Sequence, residues 1–206
     1  MSFFRSPERK PNRLSGYNYS SPGYYFITTC TEQLNHYFGE IKNGIMCLNT
    51  SGTIVWQQWS WLADQYDYIN LDEFIVMPNH VHGILIIVDQ QLYKRRDKSH
   101  DRDIFSHIRR DKSRLVPTGS GGQPIIPRLV PTHTVCDGIK IKPLSEIIGA
   151  FKTTTSKKIH QAGQNDFKWQ RSFYDHVIGD DQSLENIRQY IQYNPANWQQ
   201  DRNNLF

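Results

Sequence analysis

The chain has 206 residues, 37 % of them hydrophobic, with 10 Phe, 11 Tyr and 5 Trp. That suffices for the core of one domain and excludes global disorder. No apolar run approaches the roughly 20 residues a bilayer requires, and the start at Met1 has no apolar signal core, so a soluble, unexported protein is expected. Cys30, Cys47 and Cys136 are scattered, which argues against a disulfide framework or a zinc knuckle. The net charge of +4 is uneven: residues 1–13 carry +3, residues 94–114 carry +5, and the remainder carries −4. Basic segments on a nearly neutral body suit a polyanion such as nucleic acid; solvated tails are the other reading.

In chain order, residues 1–22 are polar and rich in Ser, Pro and Asn, a loose N-terminal arm. Residues 24–30 are aromatic and β-branched, a strand. Residues 36–48 form two short strands around Lys42-Asn43-Gly44, since Asn-Gly is a hairpin signal. Residues 53–66 carry Ile54, Val55, Trp59, Leu62 and Ala63 at helical spacing. Residues 70–77 form a strand broken by Pro78-Asn79, and residues 80–88, apolar almost throughout, form a strand central to the sheet.

Residues 89–143 lose all periodicity, and Arg-Leu-Val-Pro-Thr occurs in them twice, at 114–118 and 128–132. So long a segment inside a compact domain predicts a flexible insertion. Periodicity resumes with Leu144, Ile147, Ile148, Phe151 and Ile159 on one face of a helix to about residue 160. Residues 167–178 read as a strand, and residues 180–183 supply N-cap candidates for a last helix with Leu184, Ile187 and Ile191 buried, ended by Pro195. The order predicts a single α+β domain: a ferredoxin-like antiparallel sheet with helices packed on one face.

Two fragments carry chemistry. In Met77-Pro78-Asn79-His80-Val81-His82-Gly83 the histidines at i and i+2 of a strand point to one face. Side by side they can bind one cation; a polar pair on a solvent face is the alternative. Imidazole suits Mn, Zn, Fe and Ni, whereas Mg prefers oxygen. In Tyr190-Ile191-Gln192-Tyr193-Asn194-Pro195, Tyr190 and Asn194 stack on one helix face. They can bring a phenol and an amide oxygen to that cation, or simply pack and cap the helix. If both fragments act together, a divalent ion polarises a phosphodiester that the phenol attacks, leaving a covalent phosphotyrosine and a free hydroxyl.

His80-Val81-His82 after Met77-Pro78-Asn79 resembles the HUH motif of single-tyrosine transposases. Trp169-Gln170-Arg171-Ser172-Phe173-Tyr174-Asp175-His176-Val177-Ile178, followed by Tyr190-Ile191-x-x-Asn194-Pro195, is similar to their REP-associated branch, and so are residues 23–28 and 72–77. The likeness covers residues 17–88 and 144–198. It implies the HUH-endonuclease type of ferredoxin-like fold, His80, His82 and Asn194 as ligands of Mg or Mn, and Tyr190 as the nucleophile. It implies single-stranded DNA hairpins from repetitive extragenic palindromes as substrate, and a cytoplasmic, nucleoid-associated bacterial protein acting as monomer or homodimer. Arg13, Lys152, Lys157, Gln170 and Arg171 are candidate DNA contacts. The insertion at 89–143 departs from the pattern but spares the proposed ligands. Two rivals remain open: a non-catalytic single-strand-binding module, which needs no metal, and a metallohydrolase using water, which needs no Tyr190.

Overall fold

The computed structural model describes residues 13–14, 16–88 and 140–204. Most of the N-terminal arm and all but the last four residues of the 89–143 insertion lie outside the described residues. The elements are β1 (Gly23–Cys30), β2 (Gly39–Lys42), β3 (Ile45–Leu48), α1 (Thr50–Gln65), β4 (Ile69–Val76), β5 (His80–Ile87), α2 (Leu144–Gln161), β6 (Tyr174–Ile178) and α3 (Asp181–Tyr193). Four strands make one antiparallel sheet in the order β4-β5-β1-β6, and β2 with β3 makes a separate hairpin. Without that hairpin and α3, the chain runs β-α-β-β-α-β, the ferredoxin-like connection anticipated above. The hairpin turns at Asn43 (φ 52°) and Gly44 (φ 74°), the left-handed pair that a two-residue turn between twisted strands requires.

The central place expected for β5 holds, and it dictates where the helices go. On one side, Val81, Leu85 and Ile87 of β5 join Tyr25 and Ile27 of β1 beneath Val55, Trp59 and Leu62 of α1 and Ile147, Ile148 and Phe151 of α2. The other side has its own apolar cluster: Phe26, Ile75, Ile84 and Ile178 of the sheet with Leu184 and Ile191 of α3. The helices therefore lie on both faces, two against one, rather than all on one face. A strand apolar on both sides needs cover on both, and α3 supplies the second layer.

Local chemistry sets each junction. Asn49 N-caps α1 by accepting from the Gly52 amide, so the helix starts at Thr50, before the periodic stretch from Thr53. Gly83 is a packing glycine: a Cβ there would stand 2.5 Å from the Trp59 ring and 2.8 Å from Phe74. Trp59 stacks flat on Phe74 with centroids 4.6 Å apart, directly over that gap. A register shift in β4 between Leu71 and Phe74 turns Asp72 and Glu73 toward α3. Arg188 donates to both Asp72 oxygens at 2.9 and 2.6 Å, and Gln192 donates to Glu73 at 3.0 Å, so α3 is tied to β4 at two points one turn apart. The strand expected over 167–178 shortens to Tyr174–Ile178, preceded by a single bridge from Trp169 to Thr31. Gln170, Arg171 and Ser172 between them use their carbonyls on the Lys152 ammonium instead of a neighbouring strand.

Candidate metal and tyrosine site

His80 and His82 leave β5 on the α3 side of the sheet, opposite Cys30 and Thr28 of β1. Both are fully buried, with their Nε2 atoms 2.9 Å apart. That is a hydrogen-bond length, and also about the separation of two ligands at right angles around an ion some 2.1 Å from each. The tautomer of His80 follows from its neighbour. Asn79 Nδ2 donates to the Leu34 and Asn203 carbonyls at 2.9 and 2.8 Å, so its Oδ1 must accept from His80 Nδ1 at 2.8 Å. His80 Nε2 is left as a bare lone pair. His82 Nδ1 lies 2.8 Å from the Thr28 hydroxyl, which donates or accepts as needed. One tautomer of His82 bonds the two rings together; the other aims a second lone pair at the point the first one faces. Outer partners of this kind orient imidazole ligands at metal sites.

Two further groups enter from the C-terminal end. Tyr190 Oη lies 3.2 Å from His82 Nε2, on a ring that is half exposed and edge-on to Phe26. Asn194 is the C-cap of α3 but keeps helical φ and ψ, so it stays one turn beyond Tyr190 on the same face. Its Nδ2 donates to Asp201 Oδ2 at 3.2 Å, and the same carboxylate oxygen stands 4.0 Å from His80 Nε2. Among the described residues the buried Asn194 Oδ1 has no hydrogen-bond partner. His80, His82 and Asp201 each offer a ligand atom within 4.8 Å of the others. Two imidazoles and a carboxylate this close form a group that could hold a divalent cation.

The electrostatics agree with that fit. Burial holds the His80 pKa down to about 4, against the pull of Asp201, and drives that of His82 well below the ordinary histidine range. Both rings are neutral near pH 7, the form in which imidazole binds a metal. The Tyr190 phenol is pushed up, first by burial and then by the Asp201 carboxylate. It is therefore a poor nucleophile unless positive charge arrives beside it.

The other candidates are dispersed. Arg13 is engaged within the fold: its guanidinium lies 3.8 Å from the buried Asp175 and against the Phe173 and Tyr19 rings. Lys152 caps the carbonyls of Gln170, Arg171 and Ser172, and burial lowers its pKa to about 8. Lys157 is exposed on α2, across the sheet from the histidines, whereas Gln170 and Arg171 are exposed on the loop whose Gln170 amide donates to Cys30. Tyr193, the alternative nucleophile, is 61 % exposed. Sequence reasoning missed Asp201, Thr28 and Asn79 as supporting groups. Asn79 registered only as a turn residue; Thr28 is an ordinary strand threonine; Asp201 lies past Pro195, where no periodicity guides the eye. Trp198 stacks near His80 at 6.0 Å between centroids and brings that tail home.

Comparison with known proteins bears on the same elements. A sequence profile described as "Transposase IS200 like" matches residues 132–194, which include α2, β6, Tyr190 and Asn194. An uncharacterized protein of Haemophilus influenzae is 31 % identical over 194 residues, 94 % of this chain and 92 % of the relative. A solved REP-associated tyrosine transposase bound to a REP hairpin superimposes with a TM-score of 0.48 at 15 % identity, over 96 % of this chain and 74 % of the other. Among the described residues no helix is long and apolar enough to cross a membrane. The profile lies across the tyrosine-bearing helix, so residues 132–194 are similar to the IS200-like transposases, a likeness that supports a transposase-like role in DNA processing.

Proposed function

We propose that this protein is a single-tyrosine HUH transposase of the REP-associated kind, which cuts single-stranded hairpin DNA with Tyr190 and a divalent cation. The observation that carries the reading is the approach of Tyr190 Oη to 3.2 Å from His82 Nε2, beside His80 and Asp201. A phenol placed against a pair of neutral, buried imidazole nitrogens is the pairing of nucleophile and ligands this chemistry calls for. His80, His82 and Asn194 are the proposed ligands, with Asp201 beside them, and Mn is the preferred ion. When bound, the ion polarises the scissile phosphate and supplies positive charge.

The chain's own residues do the rest. Asn79 and Thr28 hold the two imidazoles in orientation. Phe26 and the His82 ring fix the Tyr190 ring, so that Oη faces inward while the ring edge meets solvent. Attack forms a bond from Tyr190 Oη to phosphorus and breaks one phosphorus–sugar oxygen bond; the phenol proton leaves to solvent and the departing sugar oxygen is protonated. The phosphotyrosine preserves the ester, so rejoining to another end needs no external energy. Labelled single-stranded hairpin DNA should be nicked with Mn and not with chelator, leaving a protein–DNA adduct that survives denaturation. Nicking without an adduct favours a metallohydrolase; binding without nicking favours a pure single-strand-binding module.

A further inference from the structure

Among the described residues, only part of the surface on the α3 side of the sheet is covered. α3 starts beside Ile178, crosses the face and is tied at Arg188 and Gln192 to β4, the edge farthest from β6. None of the described helices covers the Tyr174 end of β6. There Tyr174 is 42 % exposed and sits in register with Thr28, the residue that holds His82. Phe26 lies between two tyrosines, edge-on to Tyr174 at 6.4 Å and to Tyr190 at 6.1 Å. The exposed Arg202 places its guanidinium 5.8 Å from the Tyr174 ring.

Tyr174 is also set in place from behind. Side chains alternate along a strand, so its neighbours Phe173 and Asp175 point to the α1/α2 side, where Arg13 grips both. Lys152 grips the carbonyls of the loop that leads into it. A large aromatic held this rigidly, yet left in solvent beside a phosphate-directed site, matches what a base-stacking residue needs: a flat ring ordered before the ligand arrives.

We infer that Tyr174 and Arg202 form a track for single-stranded DNA next to the cleaved bond, with the buried Phe26 buttressing Tyr174, Tyr174 stacking on the first base beyond the scissile phosphate and Arg202 meeting its backbone. The inference rests on the nuclease reading for the nature of the strand, and it adds a positioning and specificity role that the metal ligands and Tyr190 do not have. Arg13 and Lys152 support Tyr174 from within the fold.

The test uses metal-free wild-type protein, which binds without cutting, and a hairpin carrying 2-aminopurine in the single-stranded flank beside the cut. Wild type should quench the fluorophore by stacking. Tyr174→Ala should lose the quench and bind the flanked hairpin roughly 5- to 100-fold more weakly, the range expected for one aromatic–base stack. A blunt hairpin without the flank should bind equally to both, and Tyr174→Phe should restore quench and affinity. Arg202→Ala should flatten the salt dependence of flank binding by about 0.7 in the logarithmic slope. Quench and affinity retained in Tyr174→Ala, or an equal loss on the blunt hairpin, would overturn the track. The nuclease reading is judged separately, by whether wild type forms its adduct with Mn.

Discussion

Replacing Tyr190 by Phe separates binding, folding and cutting more cleanly than any other change. The ring is 43 % exposed, and its contacts with Phe26 and His82 are made by carbon atoms that Phe keeps. What is lost is one hydrogen bond, Oη to His82 Nε2 at 3.2 Å, half open to water. Such a bond contributes about 1 kcal/mol net, which for a domain of this size lowers Tm by about 2–4 °C. Affinity for a hairpin should change by less than about a factor of three, because the hydroxyl faces the imidazoles rather than the open sheet surface. The reaction, in contrast, loses its only attacking atom, and no amount of Mn can restore it. The assay is a time course on end-labelled hairpin DNA, run alongside thermal melts and metal-free binding curves for wild type and Tyr190→Phe. Covalent adduct from Tyr190→Phe at more than a trace of the wild-type rate would refute the assignment and shift attention to Tyr193. A Tm drop above about 10 °C would show that the hydroxyl is structural, contradicting the reading of the half-exposed ring.

Asp201→Ala should weaken Mn binding by about 10- to 100-fold, read by calorimetry, and excess Mn should then rescue cutting, as it cannot for Tyr190→Phe. In metal-free protein His80 has a folded pKa of about 4 against about 6.5 unfolded, so the unfolded chain takes up its proton first as pH falls. Its stabilising share is full above pH 6.5 and lost as pH falls toward 4, with His82 adding in the same direction. Urea melts at pH 7 and pH 5 should show this loss in wild type and less of it in His80→Asn; equal losses would contradict the depressed pKa. Gly83→Ala should cost roughly 1–3 kcal/mol in urea melts, because the new Cβ meets the rigid Trp59 and Phe74 rings. A neutral Gly83→Ala would mean that the stack over β5 is loose.

Much of this protein was legible in its residues because short-range rules dominate where the elements are regular. The period-two run from His80 placed both imidazoles on one face, and the i, i+4 spacing of Tyr190 and Asn194 placed them together one turn apart. The strand doubly apolar at 80–88 also held the information that both faces are covered, which a one-sided helix layer overlooks. Other features depend on contacts distant in the chain. Asp201 reaches His80 only because Trp198 and Asn203 fold the tail against the β4–β5 turn, and nothing periodic announces that. Arg13 is likewise placed by a distant contact, since Asp175 beside its guanidinium lies on the far edge strand. The strand read over 167–178 was too long because the aromatic content of residues 167–173 reflects packing of Phe167, Trp169 and Phe173 against the α1/α2 side rather than ladder pairing.

The most direct test of the account is to find where the DNA is attached. Wild-type protein incubated with Mn and a single-stranded hairpin, then denatured, digested and examined by peptide mass spectrometry, should yield one nucleotide-bearing peptide with the phosphate on Tyr190. Attachment at Tyr193 or elsewhere, or efficient cutting that leaves no residue modified, would contradict it.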